Sequence, residues 1–383
     1  MSFSDNGGMT SASHSSAAAE PFEGLRIRGV AKTFGADTTV LNEIDLDVHP
    51  GELISLVGSS GTGKSTLLRI IAGLEEPSAG RVTYAGQPLE RGSVGVVFQR
   101  PILYPHLSVK DNILFPTRLG AFAGRVDMDY YRELLEALKL EGLEFRKPSQ
   151  LSGGQAQRVG IARALIRRAP VVLFDEPLAS VDEEMSASIR ADIVRLHERY
   201  GFTGLYVTHD QNEALMLGQR VAVMDAGYLV QVDTPERLLA HPHTLQVAKL
   251  MAAPALNLLA LEDSEALPAG CELAIRATAL HPVAADAAHS LPMQVLGHRH
   301  LVGGMLYRAR LLEAVSLPLE SRRASAGTEL SARMYARVRA GQELEFFIPD
   351  AQGSTVLSAG ERMRLGVAVE RCFLFSDGKR FYL

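Results

Sequence analysis

The sequence predicts an α/β domain built on a mainly parallel sheet, followed by a smaller all-β domain. Three observations carry that expectation. Between Gly24 and about Pro235, apolar runs of strand length alternate with helical stretches, the pattern of a sheet with helices on its faces. Early in that stretch stands Gly58-Ser59-Ser60-Gly61-Thr62-Gly63-Lys64-Ser65, a glycine-rich turn between a strand and a helix. Beyond residue 257 the pattern changes to short β-type runs separated by Gly, Pro, Asp and Ser, as in a small barrel or sandwich.

In chain order, residues 1–22 are rich in Ser and Ala and carry no Lys or Arg, so a disordered tail is expected rather than a targeting peptide. Residues 52–57 are an apolar strand run, and from Lys64 the spacing becomes helical, with apolar residues at 67, 68, 70, 71 and 74. Residues 94–98 predict a second strand. Residues 101–150 are mainly helical in pattern, and 156–168 predict a helix with apolar positions 159, 161, 162, 164 and 165. Strands are expected at 171–174, 204–207 and 221–224, and a closing helix and linker at 236–259. The all-β part has runs at 272–276, 293–296, 305–311, 343–348 and 367–375.

The glycine-rich turn has a definite chemistry. A strand feeding such a turn at a helix N-terminus leaves backbone N–H groups and the helix dipole facing an anion. Gly58, Gly61 and Gly63 are expected to supply positive φ and close backbone approach to phosphate. Ser59, Ser60, Thr62 and Thr66 complete the loop wall. Lys64 reaches the β- and γ-phosphates as a catalytic cation, and the Ser65 hydroxyl ligates Mg2+.

Downstream, the strand at 171–174 ends in Asp175-Glu176. Asp175 suits Mg2+, a hard cation that takes carboxylate oxygen. Glu176, one residue on, is expected on the opposite side of a pleated strand, where it can polarise an attacking water. His209 closes another apolar strand and is placed to meet a γ-phosphate. Gln99, after Val96-Val97-Phe98, offers a neutral oxygen to Mg2+. Leu151-Ser152-Gly153-Gly154-Gln155 precedes a helix, with Ser152 where an N-cap belongs and glycines that leave N–H groups bare. It is a second anion site in a chain that already has one.

Taken singly these residues say little; their order says more. Phosphate loop, Gln99, the 151–155 string, Asp175-Glu176 and His209 together resemble the ATP-binding subunit of an ABC transporter. The resemblance implies an ABC-type P-loop ATPase domain over residues 23–257, with a helical subdomain at about 101–150. It implies an OB-like regulatory (TOBE) domain over 258–383, on Leu273-Ala274-Ile275-Arg276 and Gly341-Gln342-Glu343-Leu344. It implies ATP and Mg2+ as ligands, and Phe34 as the aromatic that stacks on adenine. Ser152, Gly153, Gly154, Gln155 and Asp182 would then serve the ATP held on a second copy, in a head-to-tail pair.

Further partners implied are two membrane permeases and, through them, a solute-binding protein, at the cytoplasmic face of the inner membrane. Arg146-Lys147-Pro148 and the run 206–211 look like the importer branch that feeds sugars, polyamines, iron or sulfate; a carbohydrate or polyol is the expected solute. The chain departs from the family pattern at Ser59, where proline is usual, and at Ala179, where Ser or Thr is commoner. Ala179 has no side-chain donor to offer across an interface.

Composition sets outer bounds. A chain of 383 residues suits two domains, and no apolar run approaches the ~20 residues of a membrane span. The net charge of −5 gives no nucleic-acid footprint, and the absence of Trp argues against a base-stacking platform. Cys271 and Cys372 do not make a disulfide framework and fit a reducing cytosol. A competing reading is a soluble ABC ATPase of translation or DNA repair. Against it, the chain has one nucleotide domain, and no heptads lie between Lys64 and Ser152.

Overall fold

The computed structural model describes residues 22–35, 37–118, 126–262, 267, 270–284, 286–287, 289–319, 334–350, 356–368 and 371–381. The tail expected over 1–22 lies outside these residues, save Phe22. Two strands that the sequence reading passes over open the fold, β1 (Leu25–Phe34) and β2 (Thr38–Val48), paired antiparallel. Their signal is diluted because β1 interleaves Arg26 and Arg28 with buried Leu25 and Ile27, then breaks register at Gly29, which takes φ +56°. Next come β3 (Leu53–Val57) and α1 (Lys64–Ile71), with the glycine-rich loop between them. β4 (Ala79–Tyr84) and the short β5 (Gln87–Pro88) complete a four-stranded sheet in the order β2-β1-β4-β5.

The larger sheet continues with β6 (Gly95–Val97) and passes through α2 (Val109–Leu114), α3 (Met128–Ala137) and α4 (Gly153–Leu165) to β7 (Val171–Asp175). Then follow α5 (Glu183–Tyr200), β8 (Thr203–Thr208), α6 (Gln211–Leu217), β9 (Arg220–Asp225) and β10 (Tyr228–Asp233). The strand order is β10-β9-β3-β8-β7-β6, parallel except for β10 at the edge. Every residue of β3 and β8 is buried, which is why these strands read as mainly apolar runs broken only by Ser55, Thr203 and Thr208. On one face α1 packs Leu67, Leu68 and Ile71 toward Ile54, Leu56 and Leu173; on the other, α4 and α5 pack Val159, Ile161 and Ile193 toward Phe174 and Tyr206.

The helical segment is held to the sheet domain by a buried charge cluster. Asp192 of α5 is fully buried and pairs with Arg158 of α4 at 2.9 Å and with Arg195. Arg158 also donates to the carbonyl of Leu138, just past α3. Removing one partner of a buried pair leaves an uncompensated charge. Asp192→Ala is therefore expected to destabilise the protein by about 3–5 kcal/mol, measured by denaturant unfolding. Replacement with a loss under about 1 kcal/mol would show that water satisfies Arg158 instead.

After α7 (Pro235–Ala240) and α8 (Leu245–Leu250) comes β11 (Leu256–Ala260). All five residues of β11 pair with β12 (Glu272–Arg276). A division between residues 257 and 258 would cut this strand, so sheet pairing puts the start of the second domain before Leu256. There follow β13 (Leu280–Val283), β14 (Leu291–Leu301), β15 (Gly304–Leu311), β16 (Val315–Leu319) and β17 (Met334–Val338). β18 (Glu343–Pro349), β19 (Arg362–Val367), β20 (Cys372–Ser376) and β21 (Lys379–Phe381) close the chain. Here the apolar run 367–375 is corrected: it takes in the last residue of β19 and most of β20, two separate strands, with 369–370 outside the described residues.

These strands form sheets in the orders β11-β12-β20-β21 and β13-β19-β14-β15-β18, with β16-β17 as a separate pair. One core joins them, including Leu273, Met293, Tyr307, Leu317 and Phe346. The result is the small OB-like all-β domain that the second half of the sequence predicts.

Candidate nucleotide site

Four neighbouring parallel strands end at one edge of the large sheet. Register sets Val57 of β3 beside Thr208 of β8, Asp175 of β7 beside Val207, and Val97 of β6 beside Phe174. Gly58, His209, Glu176 and Gln99 lie one or two residues beyond these strand ends. They therefore emerge along the carboxyl edge, where parallel sheets of this kind bind ligands.

The loop glycines serve different ends. A Cβ on Gly58 would lie 2.4 Å from the Met224 carbonyl and 2.8 Å from the Thr62 hydroxyl, so close packing fixes Gly58 rather than the positive φ expected of it. Gly61 and Gly63 do take positive φ, +81° and +98°. Thr62 Oγ1 donates to the Ser59 carbonyl at 2.9 Å, while Ser59, Ser60 and Gly61 form the exposed lip. No side chain caps α1, so its first N–H groups, with the half-buried Ser65 and Thr66 among them, face the loop.

Lys64 is only 5% exposed, and its Nζ donates to the carbonyls of Gly58 and Ser59 at 2.8 and 2.9 Å. Burial pulls its pKa down, opposed by the nearby carboxylates of Glu176 and Asp175. The cation thus sits within the cradle, close to both acids.

Ser65 Oγ donates to Asp175 Oδ1 at 3.2 Å. Burial pushes the Asp175 carboxyl up from its ordinary value, the Ser65 hydrogen bond opposes that, and the Glu176 charge adds to it. A half-buried carboxylate, a hydroxyl and a second carboxylate make a hard-oxygen set of the kind Mg2+ takes.

Glu176 departs from its expected place. β7 ends at Asp175, and Glu176 takes the left-handed region at φ +44°, so the strand's alternation stops before it. Such backbone costs on the order of 1 kcal/mol or more in a non-glycine residue and clusters at active sites. Its N–H donates to the Val207 carbonyl at 2.9 Å, and its Oε2 lies 3.0 Å from His209 Nδ1. The turn therefore aims the carboxylate at His209.

Beneath His209 lies a network that sequence reading missed. Buried Glu213 accepts from the hydroxyls of Tyr206 at 3.1 Å and Thr208 at 2.8 Å. Burial and the Glu213 charge push the Tyr206 phenol well above its ordinary value. Asp210 caps α6 through the N–H groups of Asn212 and Glu213. Together these contacts fix the turn that carries His209. The spacing Asp210-x-x-Glu213 is a helix-start signal that pointed to this junction.

The 151–155 string stands apart from the loop. α4 begins at Gly153, three residues before the helix expected at 156, and Ser152 caps it while the Gln155 side chain binds back to the Ser152 N–H. Glycine offered no periodicity to mark that first turn. Ser152 and Gly153 are exposed, and Gly154 packs where a Cβ would strike Met185 Sδ at 2.8 Å. Asp182 caps α5 through Met185 N–H, so it belongs to the same patch. Among the described residues no hydrogen bond or ion pair joins Ser152, Gly153 or Asp182 to the glycine-rich loop. Phe34 is 42% exposed at the end of β1 with Lys32 Nζ 4.8 Å from its ring centroid. Gln99 is exposed.

Loop, helix and strand ends define a P-loop nucleotide-binding domain. Residues 41–179 match the ABC transporter family. An sn-glycerol-3-phosphate import ATP-binding protein, UgpC 1 of Rhizobium johnstonii, is 45% identical over 241 residues, 61% of this chain and 65% of that protein. UgpC of Salmonella typhi is 42% identical over 266 residues, 66% of this chain and 74% of that one. Among solved structures, cbiO1 from Clostridium perfringens, part of the ABC transporter complex cbiONQ, aligns with TM-score 0.52 and 27% identity. That alignment covers 58% of this chain and 92% of cbiO1. The chain thus spans just under two thirds of the length of the first of these relatives and about three quarters of the second, and it belongs to the ATP-binding subunits of ABC transporters.

Proposed function

We propose that the protein hydrolyses ATP as a head-to-tail homodimer and so powers import of a polyol phosphate through two partner permeases. The observation that carries the dimer is the open Ser152-Gly153 patch, built for an anion yet unconnected to the loop of its own chain. A second copy would bring this patch, with Asp182, over the γ-phosphate end of the loop. The solute class rests on the relatives named for sn-glycerol-3-phosphate import, and it narrows the carbohydrate or polyol expected from sequence. Polyamine, iron and sulfate are less favoured on the same ground.

In the proposed reaction the loop N–H groups bind the phosphates, and Lys64 holds the β/γ end. Mg2+, held by Ser65, Asp175 and Gln99, would supply positive charge on the phosphate oxygens. Glu176 accepts a proton from the attacking water, and His209 keeps that carboxylate oriented and meets the γ-phosphate. Phe34 offers its exposed face to adenine. Among the described residues no helix is long and apolar enough to cross a membrane. On this reading, which rests on the relatives named for import, the partner permeases hold the protein at the inner face of the membrane.

The coupling surface we propose is the loop after Gln99. Asn112 is fully buried, and its side chain binds both backbone polar groups of Tyr104 and the carbonyls of Leu107 and Ser108. The Tyr104 ring packs 4.5 Å from Phe115. Beside the loop, Leu74, Phe98, Pro116 and Arg163 line a cavity of about 320 Å3, suited to an apolar helix from a permease. Tyr104→Ala with Leu107→Ala should leave basal hydrolysis intact. It should lower uptake of sn-glycerol-3-phosphate by cells expressing the chain with its permeases on the order of tenfold or more, as when anchors leave an interface. Normal uptake by the double variant would place coupling elsewhere, and wild-type cells that take up no sn-glycerol-3-phosphate would overturn the solute class.

A further inference from the structure

A cavity of about 560 Å3 lies between the α/β domain and the all-β domain. Its walls include Gln211 and Asn212 of α6, Glu236 of α7, Arg276 at the end of β12, Arg371, and Phe373 of β20. Arg276 is the anomaly. Its Nε and Nη2 are buried and have no hydrogen-bond partner, a state that a guanidinium with five donors rarely tolerates. The group lies 5.1 Å from the Phe373 ring centroid, and Arg380 lies 4.5 Å from the same ring. Burial, with Arg380 and Arg371 repelling it, pulls the Arg276 pKa down to about 10. Gln211 adds another buried atom without a partner, its Oε1, and rotating the amide presents N–H donors there instead. Glu236 is the acid on this wall among the described residues, yet it makes no ion pair with Arg276.

We propose that this cavity binds a small oxyanion, a phosphate monoester or a carboxylate, gripped by Arg276, Arg371 and the Gln211 amide. A guanidinium fork matches two oxygens of such a group at once, and an anion would relieve the repulsion among the arginines. The volume exceeds that of a bare ion and falls in the range of small-molecule sites. The ligand would bridge the two domains. On the nucleotide side it would touch α6, which begins two residues after His209. The proposal holds whatever solute is carried.

The test is calorimetric titration of the full-length protein, saturated with ADP and Mg2+, using inorganic phosphate and malonate separately. Saturable binding is expected for at least one probe, and the stronger probe identifies the class. Arg276→Gln and Arg371→Gln should each weaken it at least about tenfold, while Lys64→Ala, which alters the other anion site, should not. Should Arg276→Gln fail to fold by circular dichroism, the exposed Arg371 decides alone. No saturable binding of either probe, or binding that survives Arg371→Gln and vanishes in Lys64→Ala, would overturn the site.

Discussion

Glu176→Gln is expected to lower steady-state ATP turnover by about 10²-fold or more, the usual worth of a positioned general base, while ATP binding survives. The amide keeps the volume of the carboxylate and can still hydrogen-bond His209, but it cannot accept a proton from water. The left-handed turn that aims residue 176 depends on its backbone N–H bond to Val207, which the substitution preserves. Turnover is read as phosphate release, binding by nucleotide titration, and assembly by size exclusion with ATP and Mg2+. The trapped variant should elute as a dimer. A monomer under saturating ATP would contradict the composite site, and undiminished turnover would remove Glu176 from the base role.

Lys64→Ala should act earlier and as strongly, cutting hydrolysis by ~10²-fold or more through loss of charge stabilisation at the transferred phosphate. Lys64 is a buried cation with two loop carbonyls as partners and two carboxylates nearby. Its removal should therefore weaken nucleotide binding as well, which separates it from Glu176→Gln. Comparing the two variants by fluorescent-nucleotide affinity distinguishes them: tight binding in the first and loose binding in the second. Equal, unaltered affinity in both would show that Lys64 does not reach the phosphates.

What the sequence made legible follows from how local its signals are. The buried parallel strands announced themselves because both their faces are covered, as in β3 and β8. The loop was visible because its chemistry demands glycine at fixed spacing. Hidden from view was whatever depended on pairing or on the end of an element. β1 and β2 alternate polar and apolar residues around a bulge, so their antiparallel sheet left only a weak trace. The aim of Glu176 depended on β7 stopping one residue earlier than alternation implied. Glu213 and Asp192 resemble ordinary helix-surface acids in sequence; only tertiary packing turns them into buried partners. The role of Gly58 is hidden from local sequence because it comes from steric crowding by Met224, far away in the chain.

The attachment of Glu176 to β8 carries a consequence for timing. Its backbone hangs from Val207, its carboxylate meets His209, and β8 is locked to the loop-bearing β3 over five paired residues. Glu176, His209 and the glycine-rich loop thus ride on one plank of paired strands. On the head-to-tail reading, the clock of the machine is the encounter between two such planks. A lone subunit would be fully armed yet idle, and the cell would spend ATP only when two copies meet squarely.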